Sequence, residues 1–199
     1  MTKRSGLTRG DRRRNDRIEA LRAVAAAPPA WDVAFVAVDP VRGADMDQTA
    51  PYVIVEGLYL VAQASPIKAN SEVDRAGVRV VMAAGSAYDL YLTRELKQAQ
   101  LVRVPTSGVV VDTLVSGRYE VAAGVRQQLG ADAKRVPNVR LLDGRFMVIS
   151  QAMALPKGRP AGARYLGEFV ESMKASGFVA EALKRNGIEG ATVAPVAAK

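Results

Sequence analysis

The chain has 199 residues, 49% of them apolar and 24% charged, with a formal net charge of +8. Such a composition belongs to a globular chain rather than a disordered one, and no apolar run reaches the roughly eighteen residues of a membrane-spanning helix. With no cysteine and no histidine, the chain has no disulfides, no thiolate chemistry, no Cys/His zinc site and no serine triad of the usual form.

The charge is uneven. Met1 to Arg22 carries eight Lys or Arg against three acids, a net +5 that leaves +3 for the rest. Residues 1–30 therefore read as a basic, disordered arm. It lacks the interleaved aromatics of a nucleic-acid binder, so no specific nucleic acid is expected. Nor does it read as an export signal. Glu19 and Arg22 break the apolar stretch, and Pro28-Pro29 follows Ala27 at once. A short helix is expected over Arg17 to Ala27, stopped by that proline pair.

Val33 to Val38 is a short apolar run, a buried strand. Asp39-Pro40-Val41-Arg42-Gly43 is a turn, and Asp45 to Ala50 a polar connection closed by Pro51. Tyr52 to Ala62 is long, apolar and extended, and reads as a ribbon crossing between two lobes. Ser65 to Ala76 is a linker. Regular alternation follows. Val78 to Ala83 is a strand, Gly85-Ser86 a tight turn, and Ala87 to Lys97 a helix with Tyr88, Leu92 and Leu96 on one face. Gly85 can take the turn conformation and Ser86 suits an N-cap. Further strands are expected at Leu101 to Val104, Tyr119 to Ala123 and Val139 to Leu142. Helices are expected at Gly108 to Val115, capped by Ser107, and at Arg126 to Lys134. This order predicts a mostly parallel sheet with helices on both faces.

Phe146 to Leu155 is a second ribbon returning the chain to the first lobe. An amphipathic helix carrying Tyr165, Leu166, Phe169, Val170 and Met173 comes next. Gly177 breaks it, a helix from Phe178 to Leu183 follows, and Gly187 ends that one. Ala191 to Lys199 is expected to fray. The domain division expected is 31–62 with 147–190 as the first lobe and 63–146 as the second.

Several of these stretches, in this order, resemble the bacterial extracellular solute-binding proteins of family 3. They are Trp31-Asp32-Val33-Ala34-Phe35, Asp39-Pro40-Val41-Arg42, Thr49-Ala50-Pro51-Tyr52, Gly77 to Tyr88, Ser116-Gly117-Arg118-Tyr119-Glu120-Val121-Ala122, and the helices around Ser176-Gly177-Phe178. The resemblance implies a periplasmic-binding-protein-like α/β fold, two lobes joined by two hinge strands. It implies a periplasmic receptor, with retention in the cytoplasm as the alternative, which hands a small carboxylate solute to an ABC permease of the inner membrane; a monomer without a cofactor or metal is expected. It places Arg42 on the ligand carboxylate, where a guanidinium fork gives two parallel charge-assisted bonds. From the other lobe, the turn Gly85-Ser86-Ala87 and Tyr88 would offer amide and hydroxyl donors. Asp39, Val125 and Arg126 complete the candidate ligand-binding set.

Three departures from the family pattern stand out. The acidic residue expected to hold a ligand ammonium is missing near Gly124-Val125-Arg126, and Arg126 stands beside its place, which favours an acidic or non-amino acid. The hydroxyl residues that often precede the arginine loop are replaced at Phe35, Ala37 and Asp39. The strand–helix–strand that would open the first lobe is not recognisable, so that lobe is expected to be incomplete, and an export leader to be lost with it. Two alternatives share the architecture. One is a prephenate (cyclohexadienyl) dehydratase-like enzyme using Asp39, Glu56 or Asp89; the other is an effector-binding regulatory domain.

Overall fold

The computed structural model describes residues 31–44 and 46–197. The basic arm and the helix expected over Arg17 to Ala27 lie outside the described residues. In chain order the fold has β1 (Ala34–Ala37), α1 (Pro40–Gly43), β2 (Met46–Gln48), β3 (Val53–Ala62) and β4 (Arg79–Ala83). Then come α2 (Ala87–Glu95), β5 (Gln100–Val104), α3 (Val110–Ser116), β6 (Val121–Val125) and α4 (Arg126–Arg135). The order ends with β7 (Val139–Leu141), β8 (Met147–Pro156), α5 (Pro160–Ala175), α6 (Phe178–Arg185) and β9 (Ala191–Val193).

The nine strands among the described residues join one curled sheet in a mixed α/β fold, with the path β1-β8-β3-β6-β4-β5. The expected parallel pairing holds where strand and helix alternate: β4 is parallel to β5 and to β6. Every other ladder among the described residues is antiparallel, because the two long ribbons run in opposite directions. β3 is the shared strand. Its first half is flanked by β8 and β9, and its second half by β6 and β7.

Side-chain burial explains most of these elements. Val80, Val81 and Met82 of β4 and Leu58, Leu60 and Val61 of β3 are fully buried. Tyr88 and Leu92 of α2, Val110, Val111 and Leu114 of α3, and Leu129 of α4 join them in one core. Burying each such aliphatic side chain contributes about 1.5–3 kcal/mol. On α5 the buried stripe is Leu166 and Val170, and the helix packs against β8. Tyr165 and Phe169, expected on the same apolar face, are exposed.

Local boundaries differ from expectation for identifiable reasons. Asp39 to Gly43 is a helical turn rather than a plain loop, with the Gly43 amide donating to the Asp39 carbonyl at 2.9 Å. Pro40 opens it, where a missing N–H removes nothing. Met46–Gln48, within the expected polar connection, pairs with β8 because Met46 is buried. The strand expected from Tyr119 begins at Val121, since Arg118 takes a left-handed conformation (φ 48°) and the Tyr119 amide returns to the Leu114 carbonyl. Helix α2 stops at Glu95. The amides of Lys97, Gln98 and Ala99 donate instead to the Asp74 carboxylate. The tail expected to fray is tied down: Ala191–Val193 pairs with Val53–Val55. The buried Lys174 ammonium donates to the carbonyls of Pro51 (3.1 Å) and Pro195 (2.8 Å).

Gly57 is the point where β3 passes from β8 to β6, paired with Met147 on one flank and Val125 on the other. A Cβ there would come within 2.6 Å of Met147 Cγ and 2.9 Å of Phe146 Cζ. Phe146 in turn stacks on Tyr59 at 4.2 Å between ring centroids. Gly57→Ala is therefore expected to destabilise the fold by about 1–3 kcal/mol through overpacking, measured as a lowered urea midpoint.

Candidate ligand site

Strands β4 and β6 lie side by side and parallel, yet the chain leaves them in opposite directions, from β4 toward β5 and from β6 toward β7 on β3. This is a topological switch point, the place where open α/β sheets take ligands at the carboxyl ends of their strands. Helices α2 and α4 both begin there, so Gly85, Ser86, Ala87, Tyr88, Val125 and Arg126 stand at the carboxyl ends of these two adjacent strands.

The start of α2 is built by reciprocal capping. Gly85 has φ +68° and donates its amide to Asp89 Oδ2 at 2.8 Å. The Asp89 amide donates to Ser86 Oγ at 3.0 Å. Asp89 Oδ1 accepts from Arg103 Nε at 2.9 Å, which fixes the carboxylate. The hydroxyl of Ser86 is thus an acceptor in the cap and keeps its own proton as a donor. The amides of Ala87 and Tyr88 occupy the first turn, where a helix has no internal acceptor for them. The phenol oxygen of Tyr88 meets Ser107 Oγ at 3.1 Å and ties the loop after β5 to this edge. Ser107 was expected to cap the next helix; its hydroxyl makes this cross-link, and the 3₁₀ turn Ser107–Val109 has no side-chain cap.

Val125 closes β6 and directs Arg126 away from the role expected of it. Arg126 Nε and Nη2 lie 2.7 Å and 2.6 Å from Glu56 Oε2 on β3. Arg145 Nη1 takes the other oxygen, Oε1, at 2.7 Å. The Arg126 charge is therefore matched by an acid 70 positions away in sequence, and it does not argue against an ammonium nearby. The hydrogen bonds from Arg145, and then from Arg126, hold the Glu56 carboxyl below the usual glutamate range.

On the first-lobe side, Asp39 ends the β1 connection and precedes α1. Its side chain is 4% exposed and accepts from Arg94 Nη2 of α2 at 3.1 Å. Arg42 sits in the turn of α1; its side chain lies outside the described residues. Arg94, Ser107 and the Glu56–Arg145 pair are the neighbours that sequence reasoning missed. Each meets its partner through long-range packing, and no local pattern marks it. Among the described residues, no cluster of three His, Cys, Asp or Glu could hold a metal, and no helix is long and apolar enough to cross a membrane.

Ser86→Ala is expected to cost about 1 kcal/mol through loss of the cap, read by chemical denaturation. The Glu56 pair makes a pH prediction. A carboxyl depressed in the folded state stabilises the fold above its unfolded pKa and loses that contribution as pH falls through the folded value. The stability advantage of wild type over Glu56→Gln should be full at pH 7 and shrink below about pH 4. Thermal melts of both proteins across that range measure it.

No protein-family model and no curated protein matches the sequence. Solved structures do. The solute receptor for L-cysteine of Neisseria gonorrhoeae is similar at a TM-score of 0.70 and 21% identity, over 86% of this chain and 68% of that one. The cysteine-binding protein of Campylobacter jejuni is similar at 0.68 and 17%, over 85% and 67%. An ancestral amino-acid-binding protein, described as a precursor of cyclohexadienyl dehydratase, is similar at 0.66 and 19%, over 78% and 68%. These likenesses establish the architecture: the chain has the α/β fold of the amino-acid-binding solute receptors of ABC transporters.

Proposed function

We propose that this chain is the substrate-binding component of an ABC importer and holds a small carboxylate solute, an amino acid or related organic acid, between two lobes. The observation that supports this reading is the overall fold, similar to that of solved amino-acid receptors, which here contains a switch point between β4 and β6. The lobes are 31–62 with 147–190, and 63–146. Arg42 takes the carboxylate from one side. The amides of Ala87 and Tyr88 and the Ser86 hydroxyl meet it from the other, aided by the positive end of the α2 dipole. The partner is a membrane permease, and the chain works outside the cytoplasmic membrane.

The carboxylates that an enzyme would need support binding rather than lyase chemistry. Asp39 pairs with Arg94, Glu56 with Arg126 and Arg145, and Asp89 with Arg103. A general base needs a carboxylate oxygen open to the substrate's proton, and here the carboxylate oxygens are engaged by arginine donors.

A calorimetric screen of the protein against amino acids and dicarboxylates tests the reading. Binding is expected, and Arg42→Ala should weaken it more than tenfold, since truncating a buried charged contact typically costs about 2–5 kcal/mol. Wild-type affinity in Arg42→Ala would overturn the role given to that arginine. Turnover of prephenate would overturn the receptor reading.

A further inference from the structure

Three side-chain hydrogen bonds between the proposed lobes converge at one step of β3. Glu56 lies between the last β9 pair, Val55 with Ala191, and the first β6 pair, Gly57 with Val125. On its other flank it stands opposite Val148 of β8. Its carboxylate belongs to one lobe and both of its arginines to the other: Arg126 opens α4, and Arg145 precedes β8. The neighbouring Gln127 donates from Nε2 to the Glu189 carbonyl at 2.8 Å, again from one lobe to the other. Gly190 lies so close to Arg126 that a Cβ there would strike the arginine's Cδ.

Strand alternation puts this cluster on the face of the two ribbons that points away from α2. Val55 and Ile149, opposite each other, face the core that holds Tyr88 and Leu92 of α2. Glu56 and Val148 face outward, beside an open groove that they share with Ile54, Arg145 and Thr192. On the α2 side the lobes also meet, through Arg94 and Asp39. Turning one lobe about Gly57 separates the contacts on one face and compresses those on the other, so contacts on both faces fix the angle. Surface ion pairs contribute little to folding. Two lobe arrangements of similar energy, however, are redistributed by contacts that one of them alone makes. Building on the receptor reading above, we propose that the Glu56 cluster is a hinge brace: Arg126, Arg145 and Gln127 hold the two lobes at one angle before any solute arrives. A solute then meets a site whose two sides are already set, and less of its binding free energy is spent on ordering them.

The chain has no cysteine, so spin labels can be attached at chosen sites. Ala131→Cys on α4 and Ala175→Cys on α5, both exposed, place one label on each proposed lobe. Pulsed electron paramagnetic resonance on the full chain, without added solute, reads the distance between them. One narrow distribution is expected in this background. A broader one, extending to other distances, is expected when Glu56→Gln or Arg145→Gln is added and circular dichroism is unchanged. If Glu56→Gln does not fold, Arg145→Gln, which leaves Arg126 on the carboxylate, decides together with Gln127→Ala. A broad distribution with the brace intact overturns the proposal, as does an unchanged narrow one in every folded variant. These distances need no ligand, so either result leaves the receptor reading standing; that reading fails separately if neither amino acids nor dicarboxylates bind in calorimetry. Where a solute binds, Glu56→Gln should weaken it several-fold, because part of the population then sits in other lobe arrangements. Wild-type affinity beside a broadened distribution would overturn the pre-set site.

Discussion

Every part of this molecule depends on the pairing of β3. It hydrogen-bonds on both flanks along most of its length, to β8 and β9 at one end and to β6 and β7 at the other. Its second half, Leu58 to Val61, is fully buried. A strand paired on both sides leaves no polar backbone group without a partner and no free edge. The parallel unit β6-β4-β5 and the antiparallel β1 and β2 are therefore joined through one rigid element. The change of partner at Gly57 is where the two parts meet, and the absence of a side chain lets Phe146 and Met147 close over the strand.

Charge is the second organising constraint. The chain carries 28 Lys and Arg against 20 acids, so carboxylates are the scarcer partner, and the buried ones are each met by an arginine or a capped amide. Exposed pairs such as Arg135–Asp112 contribute little. Glu56 does more, because it holds Arg126 and Arg145 together across the ribbons beside the Gly57 crossing. It converts what looks in the sequence like a repulsive arginine at the site into a structural brace.

What was legible in the sequence is what local physics decides. Val80, Val81 and Met82 announce a buried strand, Gly85 a left-handed turn, and Ser86 the cap it makes; Tyr88 and Leu92 face the core as their spacing predicts. The two ribbons were visible because length and apolarity mark them. Long-range partners were not visible. Nothing around Met46 or Ala191 signals a strand until β8 and β3 are present to pair with them. Nothing near Arg126 points to Glu56, and nothing near Asp39 points to Arg94. The start of α2 could be assembled from four consecutive residues, Gly85 to Tyr88, whereas the ion pairs of Asp39 and Arg126 required the fold.

The central claim is that a solute is held between the turn of α1 and the start of α2. Hydrogen exchange on the full chain, with and without a saturating mixture of amino acids, addresses it most directly. Slowed exchange concentrated at residues 39–43 and at the amides of Ala87 and Tyr88 is the result this account predicts. Unchanged exchange at both places, with protection gained on some other surface, would contradict it.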